Sequence, residues 1–361
     1  MSTPRSVQIA VVGAGPAGLC AALSASSLGA RVVLLDRESR PGGQLIKQTH
    51  MFFGSREQYA ATRGIDIARI LWDRVEATGG VEILTDATVL GRYPDGVVTV
   101  EQGDRYTKLL PERLIVATGA AEKVLPFPNN DLPGIYGAGA VQTLMNVHGV
   151  RPGERVLMVG AGNIGLIVSY QLLQAGVQVV GIIEAGPTIG GYLVHASKVR
   201  RAGVPIYTSH TIKEAYGERA LAGTVVWQLD EQWQPIAGTE RDIPIDVLCV
   251  AVGLSPLTEL LFQAGCEMRH VAELGGHVPA RDDDLQTTVT GIYVAGDCSG
   301  IEEASSAMVE GTLAGASAAA SLGLGGEAAE KIRARARAEL DELRCGPAGR
   351  KTRDGLCRLA G

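Results

Sequence analysis

Two long stretches without a charged residue dominate the hydrophobic pattern of the chain. They cover residues 6–30 and 156–183, and each exceeds the length that spans a bilayer. Glycines and several Ser, Asn or Gln side chains interrupt both stretches, which disfavours membrane helices. A strand, a tight turn, a buried helix and a second strand explain the missing charges better. We therefore predict two buried βαβ units and no membrane span.

An internal repeat relates the two stretches. A constant offset of 147 residues aligns their glycines in pairs: Gly13 with Gly160, Gly15 with Gly162 and Gly18 with Gly165. A lone G-x-G-x-x-G pattern is weak evidence, but between a strand and a helix it is the fingerprint of a dinucleotide-binding unit. The first glycine permits the turn, the second lets backbone N–H groups approach a pyrophosphate, and the third seats the helix against the strand. A turn that serves packing alone is the weaker alternative.

An acidic residue completes the first fingerprint. Asp36 is the seventh residue after Gly29 and is expected to accept hydrogen bonds from the adenosine ribose. Glu184 is the eighth residue after Gly176, and a one-residue shift turns a side chain to the opposite face of a strand. Glu184 still reaches a ribose if its strand ends early, so a second nucleotide stays our prediction. No arginine follows to hold a 2′-phosphate, which favours NAD over NADP.

Composition limits the class of protein. The chain has 361 residues, 46% of them hydrophobic and 20% charged, with a formal net charge of −6. These values fit about two globular domains and argue against a nucleic-acid binder, which needs a stripe of Lys and Arg. The six cysteines show no CxxC spacing, so we predict no metal site, iron–sulfur cluster or disulfide framework. The first residues lack a secretory-signal pattern, and we expect a cytoplasmic protein.

Four further segments carry short motifs in a fixed order: PGGQL (Pro41–Leu45), LIVATGA (Leu114–Ala120), VLCVAVGLSP (Val247–Pro256) and the stretch that begins TTVTGIYVAGD (Thr287–Ala319). Together with the repeat they resemble the flavoproteins that contain two dinucleotide-binding domains, thioredoxin reductase and its relatives. The resemblance implies that Asp297 binds the ribityl chain of FAD and that Pro41–Leu45 lines the flavin.

The resemblance also implies a fold. We expect an α/β protein with two Rossmann-like three-layer domains, the second inserted in the first. The FAD domain takes residues 1–120 and 253–325, the NAD-type domain takes 121–252, and an amphipathic helix and tail take 326–361. A helix near Tyr192–Arg201 and a strand near Thr224–Leu229 belong to the inserted domain. In the C-terminal helix, the apolar face should comprise Ala328, Ile332, Ala336, Leu340 and Leu343.

The motifs assign residues to two nucleotide sites. For FAD they are Gly13, Gly15, Pro16, Ala17, Gly18, Asp36, Arg37, Gly43, Gln44, Leu45, Thr118, Gly119, Gly296 and Asp297. For NAD, or an adenine nucleotide, they are Gly160, Gly162, Asn163, Ile164, Gly165 and Glu184.

The candidates for catalysis lie in a polar connection, Ile46–Leu71. His50 could exchange protons with the flavin near neutral pH, and Lys47 could stabilise negative charge on the reduced ring. The alternative, a structural or surface His50 and a solvated Lys47, is equally open. The redox CxxC or CxxxxC of disulfide reductases is missing, which disfavours disulfide reduction. Cys298 is interpreted as a small buried residue.

This connection, the missing redox cysteines and LPGIYGAGAVQTLMN (Leu132–Asn146) resemble the α subunits of multi-subunit amine and imino-acid dehydrogenases and oxidases. That group includes sarcosine oxidase α, dye-linked proline dehydrogenase α, opine oxidase A and hydrogen cyanide synthase B. The resemblance implies a partner that bears a second flavin. Several members carry a C-terminal iron–sulfur module; Cys345 and Cys357 alone cannot hold a cluster, so a separate small iron–sulfur subunit is one option.

Three functions stay open at this point. The leading hypothesis is an FAD-dependent oxidoreductase that passes electrons between FAD and NAD or a partner flavoprotein. The second is a free-standing NADH-dependent flavin reductase or oxidase. The third is a nucleotide-binding scaffold subunit with little activity of its own.

Overall fold

The computed structural model describes residues 3–52 and 56–360 and divides them into two compact units. The first unit is made of the chain up to Ile46, from Met51 to Ala121 and from Leu254 onward, and the second of Lys47–His50 and Glu122–Gly253. The predicted α/β fold with an inserted second domain is confirmed. The C-terminal segment, predicted as a separate piece, clusters with the first unit, and Lys47–His50 clusters with the second.

The elements of the first part of the chain are β1 (Arg5–Val12), α1 (Pro16–Ser27), β2 (Val32–Leu35), α2 (Gly64–Ala77), β3 (Val81–Leu84), β4 (Ala87–Arg92), β5 (Val98–Gln102), β6 (Arg105–Val116) and β7 (Ala120–Glu122). Next come β8 (Ile135–Gly137), α3 (Ala138–Gln142), β9 (Arg155–Val159), α4 (Asn163–Gln174), β10 (Gln178–Glu184), α5 (Leu193–Arg201), β11 (Ile206–Thr208), β12 (His210–Tyr216), β13 (Gly223–Gln228), β14 (Arg241–Pro244) and β15 (Val247–Val250). The last part contains β16 (Leu254–Pro256), α6 (Glu259–Gln263), β17 (Met268–Val271), β18 (Gly276–Pro279), β19 (Ile292–Val294), α7 (Ala304–Ser321), α8 (Gly326–Leu343) and α9 (Arg350–Ala360).

The sheet of the first unit has the order β3-β2-β1-β6-β5-β4, and β19 also pairs with β6. Strands β1, β2, β3 and β19 run parallel to their partners, whereas β4, β5 and the start of β6 form antiparallel pairs. Small residues let two helices on one face of this sheet approach closely. A Cβ at Gly311 of α7 would lie 2.0 Å from the carbonyl oxygen of Ala17 in α1, and one at Gly315 would lie 2.2 Å from that of Ala21.

The second unit contains a parallel sheet with the order β11-β10-β9-β15-β8. A separate antiparallel sheet, β12-β13-β14, covers part of it, and their shared core includes Leu157, Val226 and Leu248. The predicted helix and strand of this unit are present as α5 and β13. Throughout the described ranges 3–52 and 56–360, no helix combines the length and hydrophobicity that a bilayer crossing needs.

The C-terminal helix α8 packs on the core of the first unit. Ala336 and Leu340 are buried and Ile332 is partly buried, as predicted, but Ala328 is exposed and Ala329 takes its place in the core. The prediction for Ala328 was wrong because neighbouring residues lie about 100° apart around a helix, and only the packing of α8 against α7 decides which of the two faces inward. The tail forms α9, whose Leu359 is buried against β17 and β18.

Candidate functional site

The first glycine turn joins β1 to α1. Gly13 has φ +103°, and a Cβ there would lie 2.3 Å from the carbonyl oxygen of Ala117. A Cβ at Gly18 would lie 1.7 Å from the carbonyl oxygen of Gly13, so both positions require glycine for the fold. Gly15 is different, because its nearest neighbour would be the Cα of Gly43 at 3.9 Å. The position of Gly15 is therefore open, which is compatible with the close approach of a pyrophosphate.

The start of α1 faces this space. Gly15 is the N-cap residue with extended backbone, Pro16 opens the helix, and no side chain among the described residues caps it. Uncapped N–H groups and the helix dipole favour a bound phosphate. Asp36 lies beside the turn: its carboxylate accepts hydrogen bonds from the N–H of Ala14 and, at 2.8 Å, from that of Glu38. Burial raises the pKa of Asp36, and these two bonds offset part of the rise.

The segments that the motifs assigned to FAD converge around this turn. A Cβ at Gly43 would lie 2.8 Å from the Cα of Gly15, and one at Gly296 would lie 2.9 Å from the Cβ of Ala17. The N–H of Ala295 donates to the carbonyl of Val116 at 3.0 Å. Asp297 therefore comes directly after a residue that touches the start of α1. This geometry fits FAD. Backbone segments that pack this closely need glycine, and the groove they leave would be filled by any larger side chain.

Not every predicted FAD residue lies in the turn itself. Thr118 donates to the carbonyl of Leu257 at 2.7 Å, and the carbonyl of Gly119 accepts from Leu257 at 2.9 Å. Leu45 is fully buried in the hydrophobic core. The two remaining residues are exposed: Gln44, and Arg37, which pairs with Glu38.

Asp297 is partly buried and lies at the start of a short 3-10 turn, Asp297–Ser299. Burial raises its pKa to about 7; the N–H of Glu302 offsets part of the rise, and the negative charges of Glu310, Glu302 and Glu303 add to it. A carboxyl group that titrates near neutrality can donate or accept a hydrogen bond. Asp297 is therefore suited to a polyol chain such as ribityl, whose hydroxyl groups do both.

The second glycine turn repeats the geometry of the first. Gly160 also has φ +103°, and a Cβ there would lie 2.2 Å from the carbonyl oxygen of Ala251. A Cβ at Gly165 would lie 2.0 Å from the carbonyl oxygen of Gly160, whereas one at Gly162 meets nothing within 4 Å. The helix α4 begins at Asn163, whose Oδ1 accepts from the N–H of Tyr192 at 2.8 Å, and Ile164 is exposed.

Glu184 lies in the place that corresponds to Asp36. Its carboxylate accepts from the N–H of Ala161 at 2.8 Å and from that of Gly186 at 2.9 Å. A bulge between Val179 and Gly181 absorbs the extra residue of the second copy. The expected turn of Glu184 to the opposite face therefore does not occur, because the register shift is corrected within the strand.

The sequence repeat extends beyond the two fingerprints. After the bulge the offset becomes 148, and PGGQL aligns with IGGYL, residues 189–193. Gly42 donates to the carbonyl of Ala14 at 2.7 Å, and Gly191 donates to that of Ala161 at 2.9 Å. A Cβ at Gly191 would lie 2.9 Å from the backbone nitrogen of Asn163. Gly42 and Gly191 thus shape the two turns, and an alignment that allowed one insertion would have found this second pair of glycine segments.

Lys47 and His50 lie in a polar cluster of the second unit. Asn146 donates to the carbonyl of Lys47 at 2.6 Å, and the rings of His50 and His195 are 6.3 Å apart. Burial lowers the pKa of His50 to about 4, with further contributions from His195 and Lys198. The predicted proton exchange near neutral pH depends on an ordinary histidine pKa, and the lowered pKa of His50 differs from it. The catalytic roles stay predictions, and residues 53–55 of the same connection lie outside the described part.

The cysteines offer no thiolate beside the turns. Cys298 is fully buried, with its Sγ 3.3 Å from the carbonyl oxygens of Val116 and Ala295, and burial raises its pKa to about 11. Burial raises the pKa of Cys20 to about 12. All six cysteines are described and unbonded, and no group of three or more metal-ligating side chains occurs in the described ranges.

Known proteins resemble this chain over most of its length. The family model described as pyridine nucleotide-disulphide oxidoreductase matches residues 7–311. Opine oxidase A from Agrobacterium tumefaciens (strain Ach5) is 31% identical over 87% of this chain and 65% of its own length. Hydrogen cyanide synthase subunit HcnB from Pseudomonas aeruginosa is 28% identical, covering 84% of this chain and 69% of its own length. These matches confirm the resemblance predicted from the motifs.

Solved structures agree on the fold. Thioredoxin reductase from T. acidophilum has a TM-score of 0.73 and 22% identity, covering 88% of this chain and 99% of its own. The chain spans less than two thirds of the Agrobacterium protein.

Proposed function

Because this chain belongs to the pyridine nucleotide-disulphide oxidoreductase family, we propose that it is an FAD-dependent oxidoreductase and works within a multi-component amine or imino-acid dehydrogenase. The observation that carries this proposal is the matched pair of glycine turns. Each has one glycine that leaves room for a ligand, Gly15 or Gly162, and one carboxylate beside the turn, Asp36 or Glu184.

The first turn is the FAD site. Bound FAD supplies the redox chemistry, and the residues of the chain hold it. The backbone around Gly15 and the start of α1 face the pyrophosphate, Asp36 faces the adenosine ribose, and Asp297 faces the ribityl chain. The site lies within the first unit.

The second turn favours NAD. A carboxylate that accepts a ribose 2′-hydroxyl also repels the 2′-phosphate of NADP, and the residues after Glu184, Ala-Gly-Pro-Thr, carry no positive charge. An adenine nucleotide other than NAD shares the same ribose and phosphate groups. If NADH fails to bind, we expect such a nucleotide to bind at the second turn instead.

Disulfide reduction is disfavoured on physical grounds. A thiol must ionise to attack a disulfide, and burial raises the pKa of Cys20, Cys249, Cys266 and Cys298. The other two, Cys345 and Cys357, are exposed but lie outside the motifs that form the turns, so we propose that electrons leave by another route. Two relatives, opine oxidase A and hydrogen cyanide synthase HcnB, are named for their place in multi-subunit enzymes. Their names support a partner subunit; we propose that this partner carries a second flavin, and a small iron–sulfur subunit would be a further component.

The test is an anaerobic visible spectrum of the purified chain before and after NADH is added. We expect flavin absorption bands before the addition and their bleaching after it, without turnover, because the partner that would take the electrons from the reduced flavin is missing. A colourless protein that cannot be reconstituted with FAD would refute the proposal. Rapid bleaching, followed by continued NADH consumption by the chain alone once air is admitted, would instead select the free-standing NADH-dependent enzyme. Flavin that NADH leaves unchanged, in an assembly that is indifferent to Gly162→Asp, would select the scaffold subunit.

A further inference from the structure

A cluster of four buried charges lies beside the Asp297 turn in the first unit. Its members are Arg281, Glu302, Glu310 and Arg344, whose side chains are 6%, 9%, 3% and 12% exposed. Burying charge is costly unless each group is paired and hydrogen-bonded. Two of the four come from outside the motifs that form the turn, and Arg344 follows the last residue of α8. The cluster therefore connects the C-terminal helix to the predicted flavin site.

Glu310 links the turn to the two arginines. One carboxylate oxygen accepts from the N–H of Gly296 at 2.9 Å and from the hydroxyl of Ser299 at 2.6 Å. The other accepts from Arg344 at 2.6 Å and from Arg281 at 3.2 Å. Two arginines thus bind one oxygen of the Glu310 carboxylate, while its other oxygen accepts hydrogen bonds from both ends of the turn.

Glu302 provides a second connection. Arg344 donates to it in a forked arrangement, at 2.6 Å from one nitrogen and 3.1 Å from another. The backbone N–H of Glu302 in turn binds the carboxylate of Asp297. Arg344 is the member of the cluster that contacts both glutamates, whereas Arg281 contacts Glu310 alone.

We infer that Arg344 is a positioning residue for FAD: through Glu302 and Glu310 it holds the turn that presents Asp297 to the ribityl chain, and it balances the negative charges beside that turn. This inference rests on the proposed FAD site. It assigns the C-terminal helix α8 a part in cofactor binding, beyond its packing on the core.

The charge balance of the cluster has a measurable consequence that a loss of packing alone would not produce. The cluster contains two positive and two negative charges, and the negative charges of Glu310, Glu302 and Glu303 already disfavour ionisation of Asp297. Without Arg344, one negative charge is left in excess beside Asp297. Two effects follow: the turn loosens, and the carboxyl of Asp297 is pushed further towards its protonated form.

The experiment compares three variants of the full chain by titration of the FAD-free protein with FAD. Arg344→Gln should weaken FAD binding about tenfold, the size expected for one lost charged contact. The double variant Glu302→Gln with Arg344→Gln restores the charge balance and should bind FAD within about threefold of the wild type. The control is Arg333→Gln, which removes the ion pair of α8 with Asp284 but does not touch the turn, and FAD affinity should stay unchanged.

The outcomes separate the inference from the proposed function. A wild-type chain that binds no FAD refutes the proposed site itself. A wild-type chain that binds FAD, with Arg344→Gln binding equally well, overturns the inference alone. So does a folded double variant that binds no better than Arg344→Gln, because the charge balance beside Asp297 would then have no effect on FAD binding. If Arg344→Gln does not fold, Arg344→Lys keeps the charge but loses the fork, and we expect FAD binding about threefold weaker than wild type; unchanged binding overturns the inference.

Discussion

The two glycines Gly13 and Gly15 allow the role of the turn in folding to be separated from its role in FAD binding. Replacing Gly13 by alanine places a Cβ 2.3 Å from the carbonyl oxygen of Ala117 at a φ of +103°. Replacing Gly15 by alanine places a Cβ 3.9 Å from the Cα of Gly43, an ordinary contact, at a φ of −73°. The same added methyl group should therefore destabilise the fold at Gly13 but weaken FAD binding at Gly15.

The magnitudes follow from these contacts. At Gly13, a left-handed conformation costs an L-residue about 1 to 2 kcal/mol and the overlap about 1 to 3 kcal/mol more, so the free energy of unfolding should fall by about 2 to 5 kcal/mol. At Gly15, we expect a change within about 0.5 kcal/mol. The Gly15 methyl group instead occupies the pyrophosphate space. Loss of hydrogen bonds to a charged phosphate, about 1.5 to 3 kcal/mol, weakens FAD binding about 10- to 150-fold.

Two measurements test this contrast. Urea unfolding of the FAD-free proteins, followed by circular dichroism, gives the free energies of unfolding. Quenching of flavin fluorescence gives the affinity for FAD. Gly162→Ala is the matched control, because its Cβ meets nothing within 4 Å and lies in the second turn, and it should leave both quantities unchanged.

Either of two results would refute the reasoning. If Gly15→Ala binds FAD with wild-type affinity, no pyrophosphate lies against this glycine. If Gly15→Ala loses as much unfolding free energy as Gly13→Ala, the glycine serves the fold and the space above it is not a ligand site.

Three further predictions concern single residues. Asp297→Asn should stabilise the FAD-free protein at pH 8 by about 2 to 4 kcal/mol. Burial raises the pKa of this carboxyl to about 7, so the wild type loses stability as the pH rises from about 4 to 7. Urea unfolding at pH 5 and pH 8 should show a smaller pH dependence in the variant, and an equal pH dependence would contradict this. Glu184→Gln should lower the preference for NADH over NADPH about tenfold, since it removes the charge that repels a 2′-phosphate; equal losses for both nucleotides in equilibrium titrations would mean that Glu184 does not face the ribose. Leu340→Ala should lower the free energy of unfolding by about 2 to 5 kcal/mol, whereas Ala328→Ser at an exposed position of α8 should change it by less than about 0.5 kcal/mol.

The second acidic residue shows where prediction from the sequence reached its limit. Counting residues from Gly176 placed Glu184 on the wrong face of its strand, and the count itself was correct. The error arose because a strand can absorb an extra residue in a bulge, here between Val179 and Gly181, and whether it does so depends on its pairing with β9. Gly181, an isolated glycine inside this strand, is a sequence signal for a bulge that counting residues leaves out.

The glycine turns, by contrast, could be located from the sequence alone. Gly13, Gly18 and their counterparts sit where φ is positive or where backbone presses on backbone, and glycine meets these local demands without strain. A local steric requirement leaves its mark at the position itself. The same holds for the apolar runs of β1 and β9, whose burial on both faces removes every charge.

Contacts between distant residues were decided only by the tertiary structure. Arg344 and Glu310 are far apart in the chain, and nothing near either one indicates the other; they meet because α8 packs on α7. The burial of His50 beside His195, which lowers its pKa, is likewise a product of the folded second unit. Local sequence determined where the backbone must turn, and long-range packing determined which charges those turns would face, because an electrostatic environment belongs to the folded arrangement and not to any one segment.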